Sequence, residues 1–188
     1  MIDVEQIQSN WNKYQSLLSK MSDGGIDNLL ETLGQRICEA PAAPNKDHHF
    51  SYPGGLVASA LNIAAFMVSH NGIGKTESNP AINKKSIIKV ALLHDVGRMG
   101  DLEQNYYLEQ DSDWHIEKLG QLYKINKEIE YMKPIERTLY LLQHFSVSLS
   151  KEEYIALLSL SEDSARNSLG NLLSYSRSSI FMNSASKT

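Results

Sequence analysis

Ala91-Leu92-Leu93-His94-Asp95-Val96-Gly97-Arg98 sets a histidine and an aspartate side by side in a strongly apolar run. A run of this composition buries itself. Burying two adjacent ionisable groups is costly unless a metal, a charged partner or a hydrogen-bond network satisfies them. The segment therefore calls for a core and a site at the same place. Which further residues the chain brings to that place decides its chemistry.

Apolar residues make up 41% of the 188-residue chain, enough for one core of ordinary size, and no apolar run is long enough to cross a bilayer. The first residues, Met1-Ile2-Asp3-Val4-Glu5, carry neither a basic start nor an apolar stretch, and no secretory leader is expected. With the single cysteine Cys38 excluding an internal disulfide and a cysteine-based zinc site, these features predict a cytoplasmic protein. The net charge of −4, from 18 basic and 22 acidic residues, argues against a broad nucleic-acid surface. A small anion held by a local cationic cluster remains compatible with it.

Apolar spacing predicts helices over 3–21, 26–38, 54–69 and 83–98, the last with Ile87, Ala91, His94 and Arg98 on one face and Asp95 about 100° round from His94. Trp11 and Tyr14 on the first helix suit either the core or a contact between copies of the chain. Turn formers mark loops at 40–47 and 71–80. Segments 105–109 and 120–125 are aromatic and β-branched enough for a short hairpin or an ordered loop. Pro134 opens a helix to about Phe145, Ser150 and Glu153 form a capping box for another, and a last helix covers about 164–179. The prediction is an all-α domain over 1–182 with a possible small β-hairpin, its N-terminal helices at 1–39 and its main body at 40–178. The tail, 183–188, is expected to be loose.

Three segments together resemble the HD superfamily of metal-dependent phosphohydrolases. His48-His49-Phe50-Ser51-Tyr52-Pro53-Gly54-Gly55-Leu56 resembles the loop opening the family's metal-site helix, and Leu92 to Arg98 resembles its signature helix. Ile135-Glu136-Arg137-Thr138-Leu139, followed by Leu149-Ser150-Lys151-Glu152-Glu153, is similar to a later region of bacterial and phage members. The resemblance spans about 40–178 and implies a helical bundle. Its histidines and aspartates would hold one or two divalent ions that activate water against a phosphate ester.

Other positions depart from that pattern. Where the family carries a histidine four residues past the second glycine, this chain has Ser59. Pro134 stands near another histidine place, and Ala156-Leu157-Leu158-Ser159-Leu160-Ser161 fills a third. On the last helix Arg177 occupies the place of an aspartate. Only His94 and Asp95 remain as metal-ligand candidates, an incomplete set, and a fixed cation at Arg177 would repel a metal. Arg177 is expected to pair with Asp95 instead.

Each candidate also has a plain structural reading. His94 can bond a carbonyl and Asp95 can pair with Arg98 or Arg177. His48 and His49 are either ligand contacts or loop residues packed beneath the Gly54-Gly55 turn. Arg98 is a phosphate contact or a salt-bridge partner. His144 reads as a core or capping histidine, His70 and His115 as surface residues. Trp114, Tyr106, Tyr107 and Tyr123 are core aromatics or a stacking wall.

The reading carried forward is a degenerate HD-like protein, a pseudoenzyme without a cofactor. It would bind a nucleotide or other phosphate-bearing ligand through His48, His49, Arg98 and Arg177, or engage a protein partner. The alternative is an active phosphohydrolase using manganese, iron, nickel or zinc. Its site would take His94 and Asp95 as catalytic ligands, with His48 or His49 and Asp163 or His144 completing it.

Overall fold

The computed structural model describes residues 3–72, 81–161 and 167–182, and the chain folds as helices with one two-stranded sheet. Most of the predicted 71–80 loop, the tail at 183–188, and Asp163 lie outside the described residues. Helices α1 (Val4–Ser19) and α2 (Gly24–Glu39) start on Asp3 and Asp23, whose carboxylates accept from backbone N–H groups of the first turn. Tyr14 of α1 is fully buried in the core and stacks against Trp11, which is half-buried at the edge of that core. Its hydroxyl donates to Leu92 O at 2.9 Å.

Helix α3 (Gly55–His70) is apolar nearly all round and lies in the middle of the molecule, against α1, α2 and two later helices. Its start depends on two glycines. Gly54 has φ +82°, a conformation glycine adopts without penalty, and a Cβ on Gly55 would lie 1.9 Å from Phe50 O. The chain thus turns sharply where the His48–Gly55 segment meets the core.

Helix α4 (Lys84–Leu93) is capped by Asn83 and ends earlier than the spacing predicts. His94 terminates it, Asp95 leaves helical geometry at φ −116° and ψ 14°, and Val96–Arg98 forms a separate 3₁₀ turn. The expected continuous helix over 83–98 is therefore corrected. The cause is tertiary: the turn presses against helix α6 (Pro134–His144), where a Cβ on Gly97 would lie 2.3 Å from Pro134 O. Gly97 N donates to Thr138 Oγ1 at 2.9 Å, and the buried Arg137 guanidinium donates to Gly97 O at 3.2 Å. A tighter turn is what lets the backbone approach that closely.

Between the 3₁₀ turn and α6 the chain makes a small excursion. Strands β1 (Tyr107–Glu109) and β2 (Tyr123–Ile125) pair antiparallel with Tyr107 opposite Ile125. A short helix the apolar pattern does not reveal, α5 (Asp113–Leu119), fills the connection, with no buried residue and Gly120 in left-handed conformation at its end. Helix α7 (Lys151–Leu158) carries the expected Ser150–Glu153 capping box, and α8 (Ser168–Met182) returns across α3 and α7.

One hydrophobic cluster joins Leu18, Leu29, Ile63, Ile87, Leu141, Leu157 and Leu173, so α1 and α2 belong to the same core as the later helices. Buried Lys89 of α4 binds that core electrostatically. Its ammonium lies 3.5 Å from both Asp23 and Glu153 and donates to Ser148 O.

Candidate functional site

The end of α4 and the 3₁₀ turn place His94, Asp95 and Arg98 together. His94 is 1% exposed, and its Nδ1 lies 2.7 Å from Ala91 O, which puts the ring proton on Nδ1. Burial pushes its pKa down to about 4, against the pull of Asp95, so the ring is neutral near pH 7. Nε2 is then a buried acceptor with no hydrogen-bond partner, 3.5 Å from Asp95 Oδ2. That contact joins a neutral imidazole to a carboxylate and is not an ion pair.

Asp95 takes two guanidiniums. Arg98 Nε and Arg177 Nη2 each lie 3.1 Å from its Oδ2, and Arg177 Nη2 lies 3.4 Å from Oδ1. Burial alone would raise the Asp95 pKa; the two guanidiniums overcome that and hold the carboxyl well below the usual range. Asp95 in turn keeps Arg98 firmly charged, and Arg98 Nη1 also donates to the Tyr107 hydroxyl at 3.1 Å. Arg177 comes from α8, 82 residues away in sequence. Its Nε is buried without a hydrogen-bond partner. Two fixed cations against one anion leave this cluster one positive charge in excess.

The segment carrying His48 and His49 is held against the hairpin. Pro44 O accepts from Leu122 N at 2.8 Å, and Lys46 N donates to Gly120 O at 2.7 Å. This fixes a cavity of about 550 Å³ lined by Pro44, Asp47, His48, His49, Arg98 and Arg177. Four of the predicted ligand contacts thus face one space. A second cavity of about 210 Å³ shares the arginine pair and adds Asp95, Lys133, Pro134 and Ser161. A third, lined by Tyr107, Tyr123 and Arg36, also reaches Arg98.

Other candidates fall elsewhere. His144 is exposed at the last position of α6, far along the helix from Pro134, and is neither core nor at the site. Trp114 is exposed, whereas Tyr107 is buried. His70 and His115, expected at the surface, are half-buried, His70 stacked on Phe66 at 3.9 Å. Ser59 lies buried in α3. Lys133 and Ser161 were not singled out from the sequence. Lys133 precedes a helix-opening proline and Ser161 follows a capped helix, and neither carries a motif of its own.

A divalent ion does not fit this donor set. The free Nε2 of His94 beside a carboxylate is a two-ligand fragment, but Asp95 is already engaged by two cations. Among the described residues no group of three or more His, Cys, Asp or Glu side chains is placed to hold a metal. At an effective dielectric of 20, a dication about 4 Å from one guanidinium is repelled by about 8 kcal/mol, and there are two guanidiniums here.

Compared with family models, characterised proteins and solved structures, the chain shows no match.

Proposed function

We propose that this protein binds a phosphate-bearing small molecule, a nucleotide or a close analogue, on an HD-like scaffold that does not hydrolyse it. The observation that carries this reading is the cationic excess of Arg98 and Arg177 over Asp95, facing a cavity that also presents His48 and His49. Guanidinium forks match phosphate oxygens, and both arginines retain donors that Asp95 does not use. The cavity volume, about 550 Å³, falls within the roughly 300–1,000 Å³ of small-ligand sites. In the resemblance, Arg177 stands where a metal-binding aspartate would. Here it supplies the charge that ties α8 to the α4 end, which is the structural share of a metal's role.

The test is a thermal-shift and calorimetry panel of nucleotides in chelator-treated buffer. A ligand present at about 100 times its Kd should stabilise the fold by about 2.7 kcal/mol. Arg177→Gln should abolish that stabilisation. A panel without any shift overturns the reading. The metal-dependent phosphohydrolase reading draws on the unpartnered His94 Nε2. It would replace this one if purified protein carried near-stoichiometric manganese, iron, nickel or zinc that His94→Ala removed.

A further inference from the structure

The arginine pair lines two cavities of unequal size, and this asymmetry bears on what the ligand is. The larger cavity accommodates the body of a small ligand. The smaller, about 210 Å³, lies below the range that takes a whole one, and accommodates a single group. Its charge is the more positive of the two: Arg98, Arg177 and Lys133 stand against Asp95 alone. In the larger cavity Asp47 adds a second acid near the same two arginines.

Lys133 is free to serve a ligand. Its backbone N–H is taken by Glu136 Oε2 at 2.9 Å, but among the described residues its ammonium has no carboxylate within ion-pair distance. Ser161 adds a hydroxyl to the same lining. Arg98 commits Nε to Asp95 and Nη1 to Tyr107, and Arg177 commits Nη2 to Asp95. Each guanidinium has five N–H donors, so both keep some for either side.

We propose that the Arg98–Arg177 pair stands between two phosphate positions of one ligand, and that Lys133 and Ser161 make the site selective for a diphosphate over a monophosphate. One phosphate lies in the larger cavity toward His48 and His49, the other in the smaller cavity toward Lys133. Nucleoside diphosphates or triphosphates are the class this takes, and nucleoside monophosphates bind at the first position alone. The inference rests on the phosphate-binding reading above and adds the number of phosphates to it.

Inorganic pyrophosphate and inorganic phosphate serve as probes for the full chain, by calorimetry in metal-free buffer, alongside matched nucleoside di- and monophosphates. Pyrophosphate should bind about tenfold or more tighter than phosphate, as expected for an added charge-assisted contact. Lys133→Ala, at an exposed position, should reduce the preference for a nucleoside diphosphate over its matched monophosphate to about threefold or less. Arg177→Gln should weaken both probes together. Equal binding of the two probes, or an undiminished preference in Lys133→Ala, overturns the diphosphate assignment while nucleotide binding itself stands. If neither the probes nor any nucleotide bind, the phosphate-binding reading and this inference both fall.

Discussion

At the scale of single residues, His94 shows how burial decides a charge state. Its pKa of about 4 in the folded protein compares with an ordinary value near 6.5. Above about pH 6.5 the ring is neutral folded and unfolded, and contributes no pH dependence. Between about 6.5 and 4 the unfolded chain takes up a proton that the native ring refuses, so stability falls as pH falls through that window. By pH 5 the loss should reach roughly 2 kcal/mol relative to pH 7.5, read from urea midpoints. His94→Gln, which removes the titrating ring, should flatten the curve above pH 5. An unchanged slope in that variant would refute the assignment. Asp95 acts lower: its depressed pKa is a stabilising contribution present above the ordinary carboxylate range and lost only in stronger acid.

At the scale of elements, the 3₁₀ turn is the part on which the site's geometry hangs. It joins α4 to α6 through Gly97, with Thr138 and Arg137 bonded to its backbone. Arg137 is 1% exposed and donates to Gly97, Glu130 and Met132 carbonyls, so this buried cation serves the fold. Gly97→Ala would drive a methyl into Pro134 O and Thr138 N, both backbone atoms that cannot yield cheaply. A cost of about 3 kcal/mol is expected, the upper part of the usual overpacking range, and on the proposed function ligand affinity should fall with it because Arg98 is the next residue. Denaturant midpoints and calorimetry on the same variant check both. The apolar pattern could not show this turn: Ala91 to Arg98 keeps helical spacing throughout. The break comes from a close approach to a helix some 40 residues on. Helix α5 escaped for the opposite reason, having no buried face and hence no periodicity. Ser112 before it and Gly120 after it were the available boundary signals.

For the whole molecule, Lys89 is the corresponding test of cohesion. It gathers the start of α2, the middle of α4 and the start of α7 around one ammonium, 11% exposed. Lys89→Met would leave Asp23 and Glu153 as two carboxylates near each other without their shared cation. A loss of about 3–5 kcal/mol in unfolding free energy is expected, as for other broken buried pairs. A loss under about 1 kcal/mol would place the ions in effectively wet surroundings. The same view of the molecule explains why the site was partly legible. His94, Asp95 and Arg98 are neighbours in the chain and could be read together. Arg177 was reached only through the family resemblance, and nothing in the spacing of 95 and 177 announces their meeting.

Periodicity, capping residues and glycine placement are local, and they sufficed for the helical class, for the main helices to within a few residues and turns, and for the demand that His94 and Asp95 be satisfied. Burial, in contrast, depends on what the rest of the chain packs on top. Only the tertiary structure could end α4 at Leu93, neutralise His94, and give Asp95 two arginines. It alone brought Lys133 and Ser161 into one cavity with that pair. Short-range preferences act through the neighbouring backbone, whereas charge and desolvation act through space, between groups that the sequence keeps far apart.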